Sequence, residues 1–401
     1  MTSWKTYRLG DVISIKSGFA YKGEYLGKGD KYLLGMGCVS FNEKFLPSGA
    51  RLYAGDVPSR YFVKAGDIVL ATRQQSDNMP ILGMPAIIPS TYKNTFVGAN
   101  LYAVQNDSDI DNNYLYWLLR TPEYIQHIKS CQTGTTVRMI TKSNIESFEF
   151  KCPNHIERNR ISNLLWSLEN KIENNRRINA NLELQAQALF DGLICDENLE
   201  YEYIANLEHI IDTGRRPKGG VANIVNGVPS IGAENIKGLG KYDYSKTKYI
   251  TEEFAQSLKK GFIKGYELLI YKDGGKPGYF IPNFSIFGEG FPYDKMALNE
   301  HVFLLDFGNQ GYNFFAYFFF QTEEVMRYLN AQGSKAAIPG INRNDVESIA
   351  IPTIENETVK EFCKRVEPII TAILTNAKES SRLATLRDTL LPKLMNGEIK
   401  L

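Results

Sequence analysis

Residues 63–73 read VKAGDIVLATR, and residues 263–273 read IKGYELLIYKD. Each stretch is a turn with an acidic residue followed by an uninterrupted apolar run, which is the pattern of a buried β-strand. The second stretch begins 200 residues after the first. A repeat of this kind decides the architecture, because each copy then encodes the same structural unit.

Three further pairs of segments match in the same order along the chain. They are residues 9–18 (LGDVISIKSG) with 205–214 (ANLEHIIDTG), 115–121 (LYWLLRT) with 316–322 (AYFFFQT), and 144–150 (NIESFEF) with 345–351 (DVESIAI). Their offsets are 196, 201 and 201 residues. Four matches in one order at nearly one offset predict two tandem copies of one domain.

After each copy, at Pro153 and at Pro352, glycine becomes rare and a helical pattern begins. From Ile161, and again from Phe362, core positions recur at alternating steps of four and three residues, which is the coiled-coil heptad. The positions expected to pair the two helices are Leu168, Ile172, Asn175, Asn179 and Leu182 in the first and Ile369, Ile373, Asn376, Ser380 and Leu383 in the second.

The polar interruptions of the two heptad patterns coincide when 201 is added to the first. Antiparallel packing about the midpoints brings Asn175 and Asn179 level with Asn376 and Ser380, and such a polar layer fixes register at some cost in stability. The alternative is that these side chains face solvent on curved helices. Pro368 predicts a kink or a helix start in the second helix.

Together these patterns predict an α/β (α+β) protein with pseudo-two-fold symmetry. Two tandem duplicated globular domains, residues 1–153 and 198–352, are separated by two long antiparallel coiled-coil helices, residues 154–197 and 353–401.

The composition fits a folded protein of more than one domain. The chain has 401 residues, of which 43% are hydrophobic and 12% aromatic, and this is ample for packed interiors. The first residues contain no apolar core of the kind a signal peptide has, and the longest strongly apolar run, residues 314–320, is too short to span a membrane. We therefore expect a cytoplasmic protein. Its five scattered cysteines are expected to be buried free thiols.

Motifs of the common catalytic classes are absent from the sequence. The chain contains neither a GxxxxGK[ST] phosphate loop nor a GxGxxG between strand and helix, and it lacks the Pro-Pro-aromatic motif of DNA adenine methyltransferases. Clustered carboxylates for a metal nuclease, or a nucleophile with a histidine partner, do not stand out. Glu169 and Lys171 are expected on a solvated helix face, and His127 and His155 in structural roles. No catalytic or metal-ligating residue is predicted.

The net charge of +1 gives no overall basic signature, so nucleic-acid binding has to come from local patches. Between residues 215 and 248 there are seven Lys or Arg against two acids. A solvated loop has the same composition. Loops at equivalent positions of both copies also carry Arg, Lys, Asn and Gln, the side chains that read guanine and adenine edges in the major groove. Ordinary surface loops explain any single one of them equally well.

These loops supply the candidate DNA-binding residues. In the first copy they are Arg73, Gln74, Gln75, Ser76, Asn78, Thr135, Thr136, Arg138 and Lys142, and in the second Arg215, Arg216, Lys218, Lys272, Lys276, Ser334, Lys335 and Arg343.

The order of these features resembles a specificity subunit of a Type I restriction-modification system over essentially the whole chain. The segments that carry the resemblance are the opening WKTYRLGDVISIKSG, the repeated strand motif, the domain exits at Pro153 and Pro352, and the helix ends LFDGLI and LMNGEI. The resemblance implies two target recognition domains that each bind one half of a split DNA sequence. It also implies that the helices act as a spacer and dock methyltransferase subunits, two of them by our expectation.

In such assemblies S-adenosylmethionine, ATP and the catalytic residues belong to the modification and restriction subunits. This chain is therefore expected to bind double-stranded DNA without a cofactor or catalysis of its own. Three alternatives remain open at this point: a single-chain enzyme with built-in recognition domains, a coiled-coil scaffold that joins two protein-binding domains, and a subunit of a methylation-only system.

Overall fold

The computed structural model describes residues 4–74, 81–274, 278, 280–334 and 339–401. The chain forms two compact units, one made of residues up to 170 together with 385–401, the other of residues 171–384. Both long helices divide between the units, so the units do not follow the predicted domain limits residue by residue.

The first unit opens with the first globular copy. Its strands are β1 (Lys5–Arg8), β2 (Ile13–Ser17), β3 (Leu26–Leu34), β4 (Ala50–Tyr53), β5 (Phe62–Val63), β6 (Ile68–Ala71), β7 (Arg73–Gln74), β8 (Pro85–Ile87), β9 (Thr95–Val97), β10 (Leu101–Asn106), β11 (Arg138–Met139) and β12 (Glu149–Cys152). Its helices are α1 (Asn112–Leu118), α2 (Pro122–Cys131), α3 (Lys142–Glu146) and the start of α4 (His155–Ile194).

The second unit contains the second globular copy. Its strands are β13 (Tyr201–Tyr203), β14 (Ile210–Thr213), β15 (Val228–Ile231), β16 (Lys248–Ile250), β17 (Leu268–Tyr271), β18 (Phe284–Ile286), β19 (Ala297–Leu298), β20 (Val302–Asp306) and β21 (Ala350–Pro352). Its helices are the rest of α4, then α5 (Glu252–Ser257), α6 (Gln310–Phe319), α7 (Glu323–Gly333), α8 (Arg343–Glu347) and most of α9 (Glu357–Met395).

The central sheet is the same in the two copies. Antiparallel strands follow the order β2-β10-β6-β8 in the first and β14-β20-β17-β18 in the second. The apolar runs of the opening motif form β6 and β17, which are buried because helices cover one face of the sheet and further strands the other. The predicted duplication and fold class are confirmed.

Short helices at equivalent places cover each sheet, and polar residues begin them. Asp111 accepts a hydrogen bond from the N–H of Asn113 before α1, and Asn309 accepts one from Tyr312 at the start of α6. These caps satisfy backbone donors that the helix leaves unpaired. Every residue of α6 between Gly311 and Phe319 is buried, so its run of aromatic side chains forms the centre of the second core.

Helices α4 and α9 pack antiparallel in the second unit, where polar residues meet in the seam. Nδ2 of Asn175 donates to Oε2 of Glu379 at 2.7 Å and to Oγ of Ser380 at 3.2 Å. Nδ2 of Asn179 donates to the Ile373 carbonyl at 2.9 Å, and Nδ2 of Asn376 donates to Oδ1 of Asn179 at 2.8 Å. We call these residues the amide layer.

In the first unit the seam between α4 and α9 contains an ion pair instead. Glu169 and Arg387 lie in direct contact, with side chains only 3% and 6% exposed. The expectation that Glu169 belongs to a solvated face is wrong, because Arg387 of α9 covers it. Lys171, two residues further along, is half-exposed and lies 3.2 Å from Glu379 in the second unit.

Other expectations have mixed outcomes. Helix α9 begins at Glu357 and continues through Pro368 without a break, so the proline does not start it. Cys38, Cys152 and Cys363 are buried thiols, but Cys131 is half-buried and Cys195 is exposed. Within the described residues, none of the helices has the length and apolar character that a membrane crossing requires.

Candidate nucleic-acid interface

In the first unit, two loops that are far apart in sequence meet at one end of the central sheet, where strand β6 ends. Strand β7, directly after β6, pairs with β11, so that Arg73 faces Met139 and Gln74 faces Arg138. The N–H of Ile140 also donates to the Thr72 carbonyl at 3.2 Å. We call this end of the sheet the loop edge.

The second loop of the first unit closes on itself. Thr133 and Met139 exchange both backbone hydrogen bonds, at 2.9 and 2.8 Å. Gly134 has a φ of +91°, and a Cβ at this position would lie 2.2 Å from the Val137 carbonyl oxygen. The closed loop therefore requires glycine, and it exposes Thr135 and Thr136 to solvent.

The second unit has the same loop edge. Asp273 forms a bridge with Gly340, and the N–H of Ile341 donates to the Lys272 carbonyl at 2.7 Å. Because β14, β17 and β20 meet at this edge, the segments that follow β14 and precede β20 lie beside the two loops. The loops that the repeat pairs in sequence are therefore also paired in space.

Cations at the loop edge lie next to one aromatic ring in each copy. In the first, Nζ of Lys142 lies 5.9 Å from the centre of the Tyr102 ring. Burial raises the pKa of Tyr102, and the nearby charge of Arg73 partly offsets this rise. In the second, Nζ of Lys272 lies 5.3 Å from the centre of the Phe303 ring. Both distances are within cation–π range.

The loop edge of the second copy also carries acidic groups. Asp273 contacts Nζ of Lys272 and Nδ1 of His301, and Oε1 of Glu300 lies 3.4 Å from Nε2 of His301. Nη1 of Arg216 approaches the same Glu300 oxygen at 3.7 Å. Burial raises the pKa of Tyr271, and the charge of Asp273 raises it further. This edge therefore alternates positive and negative side chains, whereas the first presents Arg73 and Lys142.

Several candidate residues form contacts within their own unit. The amide oxygen of the buried Gln74 accepts a hydrogen bond from the N–H of Leu82 at 3.2 Å, and Arg138 donates to the Gly134 carbonyl at 2.9 Å. Arg343 donates to Glu347 at 2.8 Å, and Ser334 caps the C-terminal end of α7. Gln75, Ser76, Asn78, Lys276 and Lys335 lie outside the described residues.

The basic stretch between residues 215 and 248 does not form one patch. Arg215, Arg216 and Lys218 are exposed in the loop after β14. Lys241 instead lies 2.9 Å from Glu183 of α4, and Lys248 lies 2.6 Å from Glu234. The cations of this stretch are therefore divided between the loop after β14 and ion pairs with Glu183 and Glu234.

Sequence reasoning missed Asp273, Glu300 and His301. When the two strand motifs are aligned, Asp273 corresponds to Arg73, and this difference in charge was the available signal. Glu300 and His301 carry no motif, and only the pairing of β17 with β20 brings them to Asp273. Among the residues that the structure describes, no three His, Cys, Asp or Glu side chains are grouped so as to hold a metal ion.

Comparisons with known proteins agree with this architecture. Residues 1–184 match the family model described as the Type I restriction modification DNA specificity domain. All of the chain aligns with the Type I restriction enzyme MjaIX specificity subunit of Methanocaldococcus jannaschii, at 22% identity over 418 residues and 89% of that protein. The HindI specificity subunit of Haemophilus influenzae aligns at 24% identity over 484 residues, with all of both chains covered.

A solved structure extends the likeness to the fold. The S subunit of a Type I restriction-modification system from M. genitalium superposes with a TM-score of 0.60 at 15% identity, covering 98% of this chain and 96% of that one. At this identity the likeness concerns the fold alone.

Duplicated domains with paired loop edges, joined by two long helices, define a class of two-domain specificity proteins. Residues 1–184 match the Type I restriction modification DNA specificity domain, and the chain over its whole length is similar to Type I specificity subunits. The resemblance inferred from the sequence is confirmed.

Proposed function

We propose that this chain is the DNA-recognition subunit of a Type I restriction-modification complex and that each globular copy reads one half of a split target. The duplicated loop edge is the observation that supports this most. One set of backbone hydrogen bonds holds Arg73 in the first copy and Asp273 in the second. A reader of two different short sequences needs such a constant framework with different side chains, because backbone contacts position a protein and base contacts specify the sequence.

The long helices are the spacer in this proposal. Helices α4 and α9 have 40 and 39 residues, and at ~1.5 Å per residue each is about 60 Å long. Half-sites one DNA turn apart are separated by about 34 Å, so helices of this length are sufficient for a spacer. The same helices would dock DNA methyltransferase subunits, two of them in our proposal.

Catalysis and cofactors belong to the partners in this proposal. The modification subunits would bind S-adenosylmethionine and transfer the methyl group, and the restriction or translocase subunits would bind ATP. This chain would contribute recognition alone, without a cofactor or a metal. A subunit that reads cellular DNA would act in the cytoplasm.

Methylome sequencing tests the proposed function directly. One host carries this chain together with its modification subunit, and a matched host carries the modification subunit alone. We expect a new methylated motif with two short specified parts and a gap of fixed length, present only in the first host. The gap would measure the spacer, and the specified bases would name both half-sites.

An unchanged methylome, in cells where both proteins are present and associate, would contradict the proposal and favour a scaffold. A motif with one contiguous specified part would contradict reading by two domains. A host that also carries the restriction subunit separates full restriction from methylation alone, because only restriction lowers the plating efficiency of unmethylated phage.

A further inference from the structure

Arg73 and Asp273 occupy the same position in the two copies. The N–H of Thr72 donates to the Asn100 carbonyl at 3.2 Å, and the N–H of Lys272 donates to the His301 carbonyl at 3.1 Å. On the other side, Arg73 pairs with Met139, and Asp273 pairs with Gly340. Equivalent backbone hydrogen bonds therefore hold Arg73 and Asp273 at the same place in the two copies.

The side chains at this shared position have opposite charge and opposite hydrogen-bonding capacity. Arginine only donates, and an ionised carboxylate only accepts. Arg73 is exposed at its loop edge. Asp273 is about a quarter exposed and contacts Nδ1 of His301 through one oxygen and Nζ of Lys272 through the other.

The contacts of Asp273 orient its carboxylate and leave it able to accept a hydrogen bond from a ligand. His301 and Lys272 fix the carboxylate from two sides and offset its charge, which reduces its repulsion of DNA phosphates. Each carboxylate oxygen has two lone pairs, so both oxygens retain acceptor capacity beyond these contacts. His301 is itself held, because its backbone N–H donates to Oδ1 of Asn299 at 2.8 Å and Glu300 lies beside the Nε2 of its ring.

We propose that Asp273 is a specificity-determining residue of the second copy and accepts a hydrogen bond from the exocyclic amino group of a base in the major groove. The amino groups exposed there belong to cytosine and adenine, whereas arginine pairs with guanine. His301 is a positioning residue that orients the carboxylate. This inference rests on the proposed function and assigns a base chemistry to one position of one half-site.

A sequence-selection experiment tests the assignment. The full-length chain, assembled with its modification subunit, selects from duplexes randomised in both half-sites at the spacing that the methylome gives. Wild type is compared with Asp273→Asn, which keeps the shape and loses the charge, and with Asp273→Arg, which installs the residue of the first copy. Glu208→Gln is the matched control, because Glu208 is an exposed acid just before β14, at the opposite end of the same sheet.

We expect wild type to select cytosine or adenine at one position, and Asp273→Arg to remove that preference. If the base is cytosine, Asp273→Asn should reduce the preference by about 10- to 100-fold, the range for one good base contact. If the base is adenine, the preference should persist in Asp273→Asn, because asparagine forms its own pair with adenine. Asp273→Arg should move the preference toward guanine. The other half-site and the Glu208→Gln protein should retain the wild-type motif. Whether the position is cytosine or adenine identifies the source of the amino group.

His301→Asn, which installs the residue found at the equivalent Asn100, should weaken the preference at the same position less than Asp273→Arg does. A purely structural role would lower binding to all sequences alike and leave the preference unchanged, and that result would overturn the assignment. Guanine or thymine at the affected position would overturn it too. Absence of any split motif with wild type would refute the proposed function instead, so the two failures are distinguishable.

Discussion

The two units share a framework but differ in the polar groups of their helix seams. In the first, Glu169 and Arg387 form a buried ion pair, whereas the second has the amide layer around Asn175 and Asn179. A buried charge depends on its partner far more than a neutral amide does, because an unpaired charge in the interior is costly. The same helix pair is therefore held in register by different chemistry in each unit.

The loop edges differ in a comparable way. The backbone hydrogen bonds on either side of Arg73 and Asp273 correspond, but the first edge presents a cation where the second presents a carboxylate supported by His301. At the loop edges the duplication preserved the backbone and changed the charge. The backbone thus encodes how the two copies are alike, and a few polar side chains encode how they differ.

Arg387→Met should have the largest effect. It leaves the Glu169 carboxylate buried without its cation, and we expect the free energy of unfolding of the first unit to fall by about 3–5 kcal/mol. All three tryptophans, Trp4, Trp117 and Trp166, lie in this unit, so tryptophan fluorescence during urea unfolding reports on it alone. The double variant with Glu169→Met should recover most of the loss. A single-variant loss below 1 kcal/mol would show that the pair is not buried in solution.

Arg73→Ala should affect recognition in one half-site alone. Loss of one arginine contact to guanine removes about 1–3 kcal/mol of discrimination, and methylome sequencing of a host with the variant should show one relaxed position. Lys64→Ala serves as the control, because it removes an exposed cation of the same copy just before β6, at the opposite end of that strand. Relaxation of both half-sites by Arg73→Ala would break the correspondence between copies and half-sites.

Asn175→Ala should weaken the second unit by about 1–2 kcal/mol, since it removes the amide that donates to Glu379 and Ser380, and side-chain hydrogen bonds contribute on this order. Hydrogen exchange of amides between residues 171 and 384 measures the loss. The tryptophan-detected transition should keep its midpoint. An equal shift of that transition would mean that the units unfold together, and the comparison of seams would have to be made for the whole chain.

The smallest expected effect is a dependence on pH in the second unit. Hydrogen bonds from Asn175 and then Lys171 hold the pKa of Glu379 below its usual range. A carboxylate with a lowered folded pKa stabilises the fold above its ordinary pKa, and this contribution is lost as the pH falls through the folded value. Because Glu379 is largely exposed, the contribution should stay below about 1 kcal/mol. The urea midpoints of wild type and Glu379→Gln should differ at pH 7 and converge at acidic pH. A difference that stays the same at every pH would contradict this prediction.

Features that repeat in the sequence could be predicted, because periodicity and offset carry them. The heptads placed Asn175 and Asn179 beside α9, and the strand motif located β6 and β17. Glu169 was misread because its partner is 218 residues away, and nothing in a local window distinguishes a covered acid from a solvated one. The direction of Gln74 also depended on a tertiary contact, since its amide oxygen accepts a hydrogen bond from the N–H of Leu82.

The site at the second loop edge was missed for a related reason. Lys272 was predicted from its type and place in a loop, but its ammonium group contacts Asp273 and the Phe303 ring. Such pairings arise when strands β17 and β20 come together, and the sequence separates them by about 30 residues of other structure. The repeat in the sequence predicts where the strands and helices lie, whereas the contacts of individual side chains depend on which strands pair in the folded chain.

The division of α9 between the units has a consequence for synthesis on the ribosome. Arg387, Leu391, Leu394 and Met395 belong to the first unit, where they cover Ile161, Leu165 and the ion-pair carboxylate. They are translated only after every residue of the second unit. The first unit therefore emerges early but waits for more than 200 residues to complete its core, so a premature stop late in the message would damage the half of the protein that was made first.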